Sequence, residues 1–356
     1  MATFPTSPEE LTAAWLADRL APGHALRAIE QHRIGTGLMA MNLRITLDWD
    51  EPNDALPRTV VAKVPSADPT SRATGTGTGA YAKETLFYRH VASHTKTRTA
   101  RCYVNEFDPE THDFLLIMED LAPAQVGDQL AGCSVAQAEV AIDVAAALHA
   151  SWWDHPRLAE FEPWMGGTAT PERQAQLDML WAMAWPQFLE RHEWQFSVED
   201  RALAERFGLG LAAWIGARSS PLTVVHGDFR IDNMLFGPDW MVPVDWQTTT
   251  IGEGISDIAY FLGASLLPAD REAHEQRLVH RWYDAIAEAL GERAGSGAQW
   301  DSVWNRYRRY SFSGFLMAVV ASFLTQRTDR GDEMFWAMAS RHLSQARHLD
   351  AGDLLA

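Results

Sequence analysis

Val224-Val225-His226-Gly227-Asp228-Phe229-Arg230-Ile231-Asp232-Asn233, followed by Met241-Val242-Pro243-Val244-Asp245-Trp246, is the stretch that decides how this chain folds. Two short apolar runs each end in a carboxylate, Asp228 and Asp245, and an amide, Asn233, stands five residues after the first. The turn Phe236-Gly237-Pro238-Asp239-Trp240 joins them into a hairpin. Phosphoryl transfer from a nucleotide needs one carboxylate to hold the acceptor hydroxyl and take its proton, and oxygen ligands to hold a magnesium ion on the phosphates. A loop with an amide five residues past the base, then a strand ending in a second carboxylate, meets that need.

The pattern His-Gly-Asp-x-x-x-x-Asn, with Asp at the end of the next hairpin, resembles the aminoglycoside phosphotransferase and choline kinase superfamily. Gln247-Thr248-Thr249-Thr250-Ile251-Gly252 and Asp257-Ile258-Ala259-Tyr260-Phe261-Leu262 look like its ecdysteroid-kinase-like branch. His-Gly-Asp-Phe-Arg-x-Asp-Asn also looks like the phosphotransferase domains found beside acyl-CoA dehydrogenases. The resemblance implies an α+β, protein-kinase-like fold in two lobes. A small sheet-and-helix lobe would span residues 1–118 and bind the nucleotide. A larger, mostly helical lobe at 119–356 would carry the catalytic loop and the acceptor site, with ATP between the two.

The resemblance also implies roles. Asp228 is the expected general base or hydroxyl-orienting carboxylate, and Asn233 and Asp245 are the expected Mg²⁺ ligands. Lys63, in Val60-Val61-Ala62-Lys63, would reach the α- and β-phosphates, and Glu84 on the following helix would set its rotamer. Only three of the 30 basic residues are lysine, Lys63, Lys83 and Lys96. In so arginine-rich a chain, a lysine inside an apolar strand points to a chemical requirement. Arg33–Asn42 occupies the place of a nucleotide-covering loop, where Gly35 and Gly37 let backbone N–H groups approach phosphate. Leu115–Leu121 resembles the hinge that meets adenine, through backbone groups near Met118, Glu119 and Leu121. His226 and Asp257 are expected as braces of the catalytic loop. Arg230 and Asp232 stand close enough in sequence to touch phosphate or acceptor.

Composition sets the outer limits. With 47% apolar and 22% charged residues in 356, the chain can bury a full core. A net charge of −17 argues against a nucleic-acid surface, which needs clustered Lys and Arg. The two cysteines lack metal-type spacing and, with no signal peptide expected in Met1–Ser7, suggest a reduced cytoplasmic home. The longest apolar run, near Phe315–Leu324, is too short to span a bilayer, so no membrane partner is expected.

Periodicity predicts a helix from about Ser7 to Leu20, strands at 33–37, 42–48, 58–64, 101–108 and 114–119, and a helix over 80–93. A Ser/Thr/Pro/Gly-rich loop is predicted over 65–79. Helices are predicted over 134–153, 171–195, 198–218, 268–291, 298–326 and 330–349. Gly75-Thr76-Gly77-Thr78-Gly79-Ala80 mimics a dinucleotide fingerprint, but ten residues separate it from the preceding strand, so it reads as loop. No P-loop and no Gly-x-Ser-x-Gly elbow occurs.

The sequence-level conclusion is an ATP- and Mg²⁺-dependent kinase acting on a hydroxyl of a small molecule. Trp152, Trp153, Trp164, Trp181, Trp185 and Trp194, in the segment where the family builds its acceptor pocket, favour a bulky, partly apolar alcohol. Aminoglycoside phosphorylation, which the acidity favours, and a nucleotide-binding pseudokinase are the alternatives. A dehydrogenase is a more distant one.

Overall fold

The computed structural model describes residues 3–35, 39–167, 170–216, 219–295 and 299–355. The chain forms two compact units. One comprises Met1–His94, Thr99–Ala124 and Val244–Thr248, and the other Thr95–Arg98, Gln125–Pro243 and Thr249–Ala356.

The first unit is built on a five-stranded antiparallel sheet of β1 (Leu26–Ile34), β2 (Ala40–Trp49), β3 (Thr59–Pro65), β4 (Cys102–Phe107) and β5 (Phe114–Glu119), in the order β1-β2-β3-β5-β4. The pleat of β3 sends Val60, Ala62 and Val64 into a core with Leu43, Ile45, Leu115, Ile117 and Leu16 of α1 (Ala13–Leu20). The same alternation turns Lys63 to the opposite face. There it meets α3 (Ala80–His90), which packs on β4 and β5.

Three local expectations fail here. The strand predicted over 33–37 runs instead from Leu26 to Ile34. The segment predicted as loop over 65–79 contains α2 (Pro69–Gly77). Asp68 accepts the Ser71 N–H at 2.8 Å and Pro69 sits in the first turn, and a good cap and a pre-set φ outweigh the poor propensity of a Thr/Gly run. The predicted helix from Ser7 is a 3₁₀ turn, Pro8–Glu10. The α-helix starts only at Ala13, because Thr12 rather than Ser7 accepts the N–H three residues on. The unit runs past Met118 to Ala124. Asp120 is clamped to β2 by a two-pronged bond from Arg44, Nε at 2.7 Å and Nη2 at 3.0 Å.

The second unit is mostly helical, around small sheets that pair β6 (Gln125–Val126), β8 (Met234–Phe236) and β9 (Met241–Pro243), and separately β7 (Thr223–Val225) with β10 (Thr250–Gly252). Its helices are α4 (Val135–Trp152), α5 (Leu158–Met165), α6 (Pro171–His192), α7 (Val198–Leu209), α8 (Leu211–Gly216), α9 (Ile255–Ser265), α10 (Pro268–Leu290), α11 (Trp300–Tyr310), α12 (Ser313–Leu324) and α13 (Asp329–His348). Ser134 and Gln137 close α4 with a full capping box. The single helix expected over 298–326 is broken in two at Ser311, whose carbonyl accepts from the ring of buried His342 at 2.9 Å. α9 is buried along nearly its whole length and is central to the core. Among the described residues no helix is long and apolar enough to cross a membrane.

Candidate active site

The residues singled out in the sequence fall into two groups, one in each unit. In the first unit, β3 holds Lys63 in register between Asn42 and Leu116. Its ammonium lies 2.6 Å from Glu84 Oε2 and 2.9 Å from Asp245 Oδ1. Lys63 and Glu84 are both buried, whereas the Asp245 side chain keeps 31% exposure. Burial alone would drive the proton off Lys63, but the charges of Asp245 and Glu84 outweigh it and the pKa is raised, so the ammonium persists. Burial, helped by the Asp245 charge, pushes the Glu84 carboxyl up against the pull of Lys63.

Asp245 adopts a left-handed backbone, φ +67°, which swings its carboxylate off the line of β9. The next residue, Trp246, is fully buried and stacks on Phe87 of α3, ring centroids 3.8 Å apart and nearly parallel. Gln247 Nε2 also donates to Asp245 Oδ1. With Lys63 and Gln247 both on Oδ1, the partly exposed carboxylate still offers oxygen to a cation. Gly35, φ +68°, ends β1; Gly37 lies outside the described residues. Met118 and Glu119 are the last residues of β5, and Leu121 is buried just beyond. Glu119 gives its N–H to Arg101 O at 2.7 Å, and Leu121 O accepts from Ala124 N–H.

In the second unit, β7 runs into His226, Gly227 and Asp228. Gly227 takes φ +81°, a conformation that favours glycine, and the chain turns there. Asp257 in the first turn of α9 accepts from the N–H groups of His226, at 2.7 Å, and Gly227, at 3.0 Å. His149 Nε2 stands 3.2 Å from the same carboxylate, while Trp282 Nε1–H donates to His149 Nδ1 at 3.0 Å, which fixes the tautomer. Asp257 thus ties the loop to α9, and His149 extends that tie to α4 and α10.

Asp228 is gripped by three donors. Tyr260 Oη donates to Oδ1 at 2.6 Å, Asn233 Nδ2 to Oδ2 at 2.8 Å, and Arg230 Nε to both oxygens at 3.1 and 3.2 Å. Burial raises the Asp228 carboxyl, but Arg230, the Tyr260 hydroxyl and His226 more than offset it, so its pKa is lowered and the group is ionised at neutral pH. The side chain keeps 19% exposure, enough for a hydroxyl to approach. Asn233 Nδ2 also donates to the Asp228 carbonyl at 3.0 Å, which fixes its Oδ1 as the side left for a cation. Arg230 Nη1 reaches Asp232 Oδ2 at 2.8 Å, and Asp232 Oδ1 accepts from Gln129 N–H at 2.7 Å. The free carboxylate oxygen of Asp245 in the first unit and the amide oxygen of Asn233 in the second are each hard donors of the kind Mg²⁺ takes.

Of the six tryptophans, Trp152 and Trp181 belong to the core, Trp153, Trp164 and Trp185 are half-buried, and Trp194 is exposed. Sequence reasoning missed Tyr260, although Asp257 and Tyr260 are spaced to share one helix face. It also missed the Arg44–Asp120 clamp.

Residues 56–310 match a family model described as the phosphotransferase enzyme family. Acyl-CoA dehydrogenase family member 10 of Mus musculus is 40% identical over 122 residues, 32% of this chain but only 11% of that protein's length. Among solved structures, choline kinase from Cryptosporidium parvum superposes with a TM-score of 0.57 at 11% identity, covering 92% of both chains. The GDP complex of aminoglycoside 2'-phosphotransferase-IIIa gives 0.53 at 12% identity, covering 92% of this chain and 97% of that one. At such identities the likeness shows the fold, which is the expected protein-kinase-like one.

Proposed function

The chain belongs to the phosphotransferase enzyme family, and we propose that within it the protein transfers the γ-phosphoryl group of ATP to a hydroxyl of a bulky, partly apolar alcohol. The observation that carries the reading is Lys63, a buried ammonium gripped by two carboxylates that lie 21 and 182 positions away in the chain. A persistent cation held this rigidly is suited to nucleotide phosphate, and the cost of burying it supports a task beyond packing.

In this reading the first unit takes the nucleotide. Backbone groups near Glu119 and Leu121 meet the adenine with Met118 beside it, Gly35 lends its backbone N–H to the phosphates, and Lys63, set by Glu84, holds them. Asn233 and Asp245 are the oxygen ligands for Mg²⁺, which when bound neutralises phosphate charge. Asp228 in the second unit accepts the hydrogen bond of the acceptor hydroxyl. The hydroxyl oxygen forms a bond to the γ-phosphorus as the bond from that phosphorus to the β,γ-bridging oxygen breaks; the hydroxyl proton passes to Asp228, and ADP leaves. A carboxylate of lowered pKa is a weak base. Asp228 orients the hydroxyl and receives its proton, with positioning the larger part of the role in a loose transition state.

Half-buried Trp153, Trp164 and Trp185 favour an acceptor with apolar surface. The test is turnover of Mg-ATP, with GTP beside it, against steroid alcohols, long-chain diols, choline and kanamycin, read as ADP release and as a phosphomonoester signal by ³¹P NMR. Phosphorylation of an apolar alcohol is expected. Preference for kanamycin would replace the acceptor assignment, and tight ATP binding without turnover across the panel would overturn the enzymatic reading.

A further inference from the structure

We propose that Tyr260 is a positioning residue for phosphoryl transfer: its hydroxyl holds the carboxylate plane of Asp228 in the orientation that receives the acceptor. The inference deepens the phosphotransfer reading and rests on it. Asp228 has a broad final torsion, since a terminal carboxylate lacks sharp staggered wells. Two donors on different oxygens are needed to fix that plane, and Tyr260 on Oδ1 and Asn233 on Oδ2 are the two shortest contacts it has, 2.6 and 2.8 Å. Arg230 Nε, sitting across both oxygens at longer range, supplies charge without choosing a rotation.

The tyrosine itself has little freedom. It lies three residues after Asp257 on α9, so both side chains project from one face of the helix. Through them α9 grips three successive residues of the loop, His226 and Gly227 by their N–H groups and Asp228 by its carboxylate. Behind the phenol, His342 packs at a ring-centroid distance of 5.6 Å. His342 is wedged where a Cβ on Gly263 or Gly314 would collide with its ring, at 2.4 and 1.8 Å. Its Nδ1–H is spent on Ser311 O, so it offers no proton to Tyr260 from that side. A phenylalanine would fill this buried space without a polar group to satisfy; the hydroxyl serves Asp228.

The control is built into the same unit. Tyr307 is also fully buried and donates to a buried carboxylate, Glu275, at 2.8 Å, away from the catalytic loop. Tyr260→Phe and Tyr307→Phe therefore delete the same chemical group. Tyr260→Phe should lower kcat at least ~tenfold, the scale of one hydrogen bond to a charged group, with KM for ATP unchanged, while Tyr307→Phe leaves kcat within about twofold. Equal losses in the two variants, or a Tyr260→Phe enzyme with wild-type kcat, would overturn the proposal. Crystal structures of the two variants supply an arm independent of turnover: the Asp228 carboxylate should rotate about its final torsion in Tyr260→Phe only, and an unmoved carboxylate refutes the role even if no acceptor is ever turned over. A wild-type protein that transfers no phosphate sinks the phosphotransfer reading alone. If Tyr260→Phe does not fold, 3-fluorotyrosine at position 260 keeps the shape but makes the phenol a stronger donor. It should change kcat measurably where the same replacement at 307 does not, and identical rates would refute the role.

Discussion

Glu84 Oε2 stands 2.6 Å from Lys63 Nζ, and both side chains are almost wholly withdrawn from water. Breaking such a pair from one side leaves a buried charge without its partner, at a cost of about 3–5 kcal/mol. Lys63→Met should therefore lower the unfolding free energy by roughly 3 kcal/mol or more, measured by urea titration. Lys63→Met with Glu84→Gln should cost clearly less than the sum of the two single changes. Additive losses would mean that the two groups do not act as a pair.

Asp228 and Asp245 should separate in kinetics. Asp228→Asn removes the group proposed to receive the hydroxyl proton, so kcat should fall at least ~10²-fold while ATP still binds. Asp245→Ala removes a proposed magnesium ligand and a partner of Lys63, so the Kd for Mg-ATP, read by isothermal calorimetry, should rise instead. Wild-type turnover by Asp228→Asn would refute its role.

The Asp257 carboxylate satisfies two backbone N–H groups of the catalytic loop and the ring of His149, all without ready access to water. Asp257→Ala orphans these donors, at about 1–3 kcal/mol each for those left unmet. The expected result is a marked loss of stability with faster hydrogen exchange at His226 and Gly227. Unchanged exchange there would show that the loop holds its shape by other means.

His342 gives the pH prediction. Burial lowers its pKa from 6.5 to about 4 in the folded chain. The unfolded state therefore binds the proton first, and stability falls as pH drops from about 6.5 towards 4. The fully developed loss is about 3 kcal/mol for this one fully buried group. Replacing the ring by His342→Asn should flatten the decline in unfolding free energy over that window. An equally steep decline in the variant would assign the acid sensitivity elsewhere.

What the sequence disclosed was local. The alternation around Lys63 and the spacing of Asp228, Asn233 and Asp245 were readable because each depends on a few neighbours in the chain. The start of α2 depends on Asp68 accepting the Ser71 N–H three residues ahead, a signal outweighed in the sequence by the Thr/Gly run that follows it. The break at Ser311 follows from a carbonyl given to a histidine 31 residues later, and no window of helical period contains that fact. Tyr260 and the Arg44–Asp120 clamp were hidden for the same reason: their partners are set by tertiary contacts rather than by spacing.

The residues Val244–Thr248 complete the first unit although more than a hundred residues separate them from Ala124. No continuous fragment therefore contains that unit whole without also carrying Gln125–Pro243 of the other. A shortened chain stopping at Ala124 would leave Phe87 without its indole cover and Lys63 with a single counter-charge. During synthesis the ammonium must wait for most of the protein to leave the ribosome before its second carboxylate arrives.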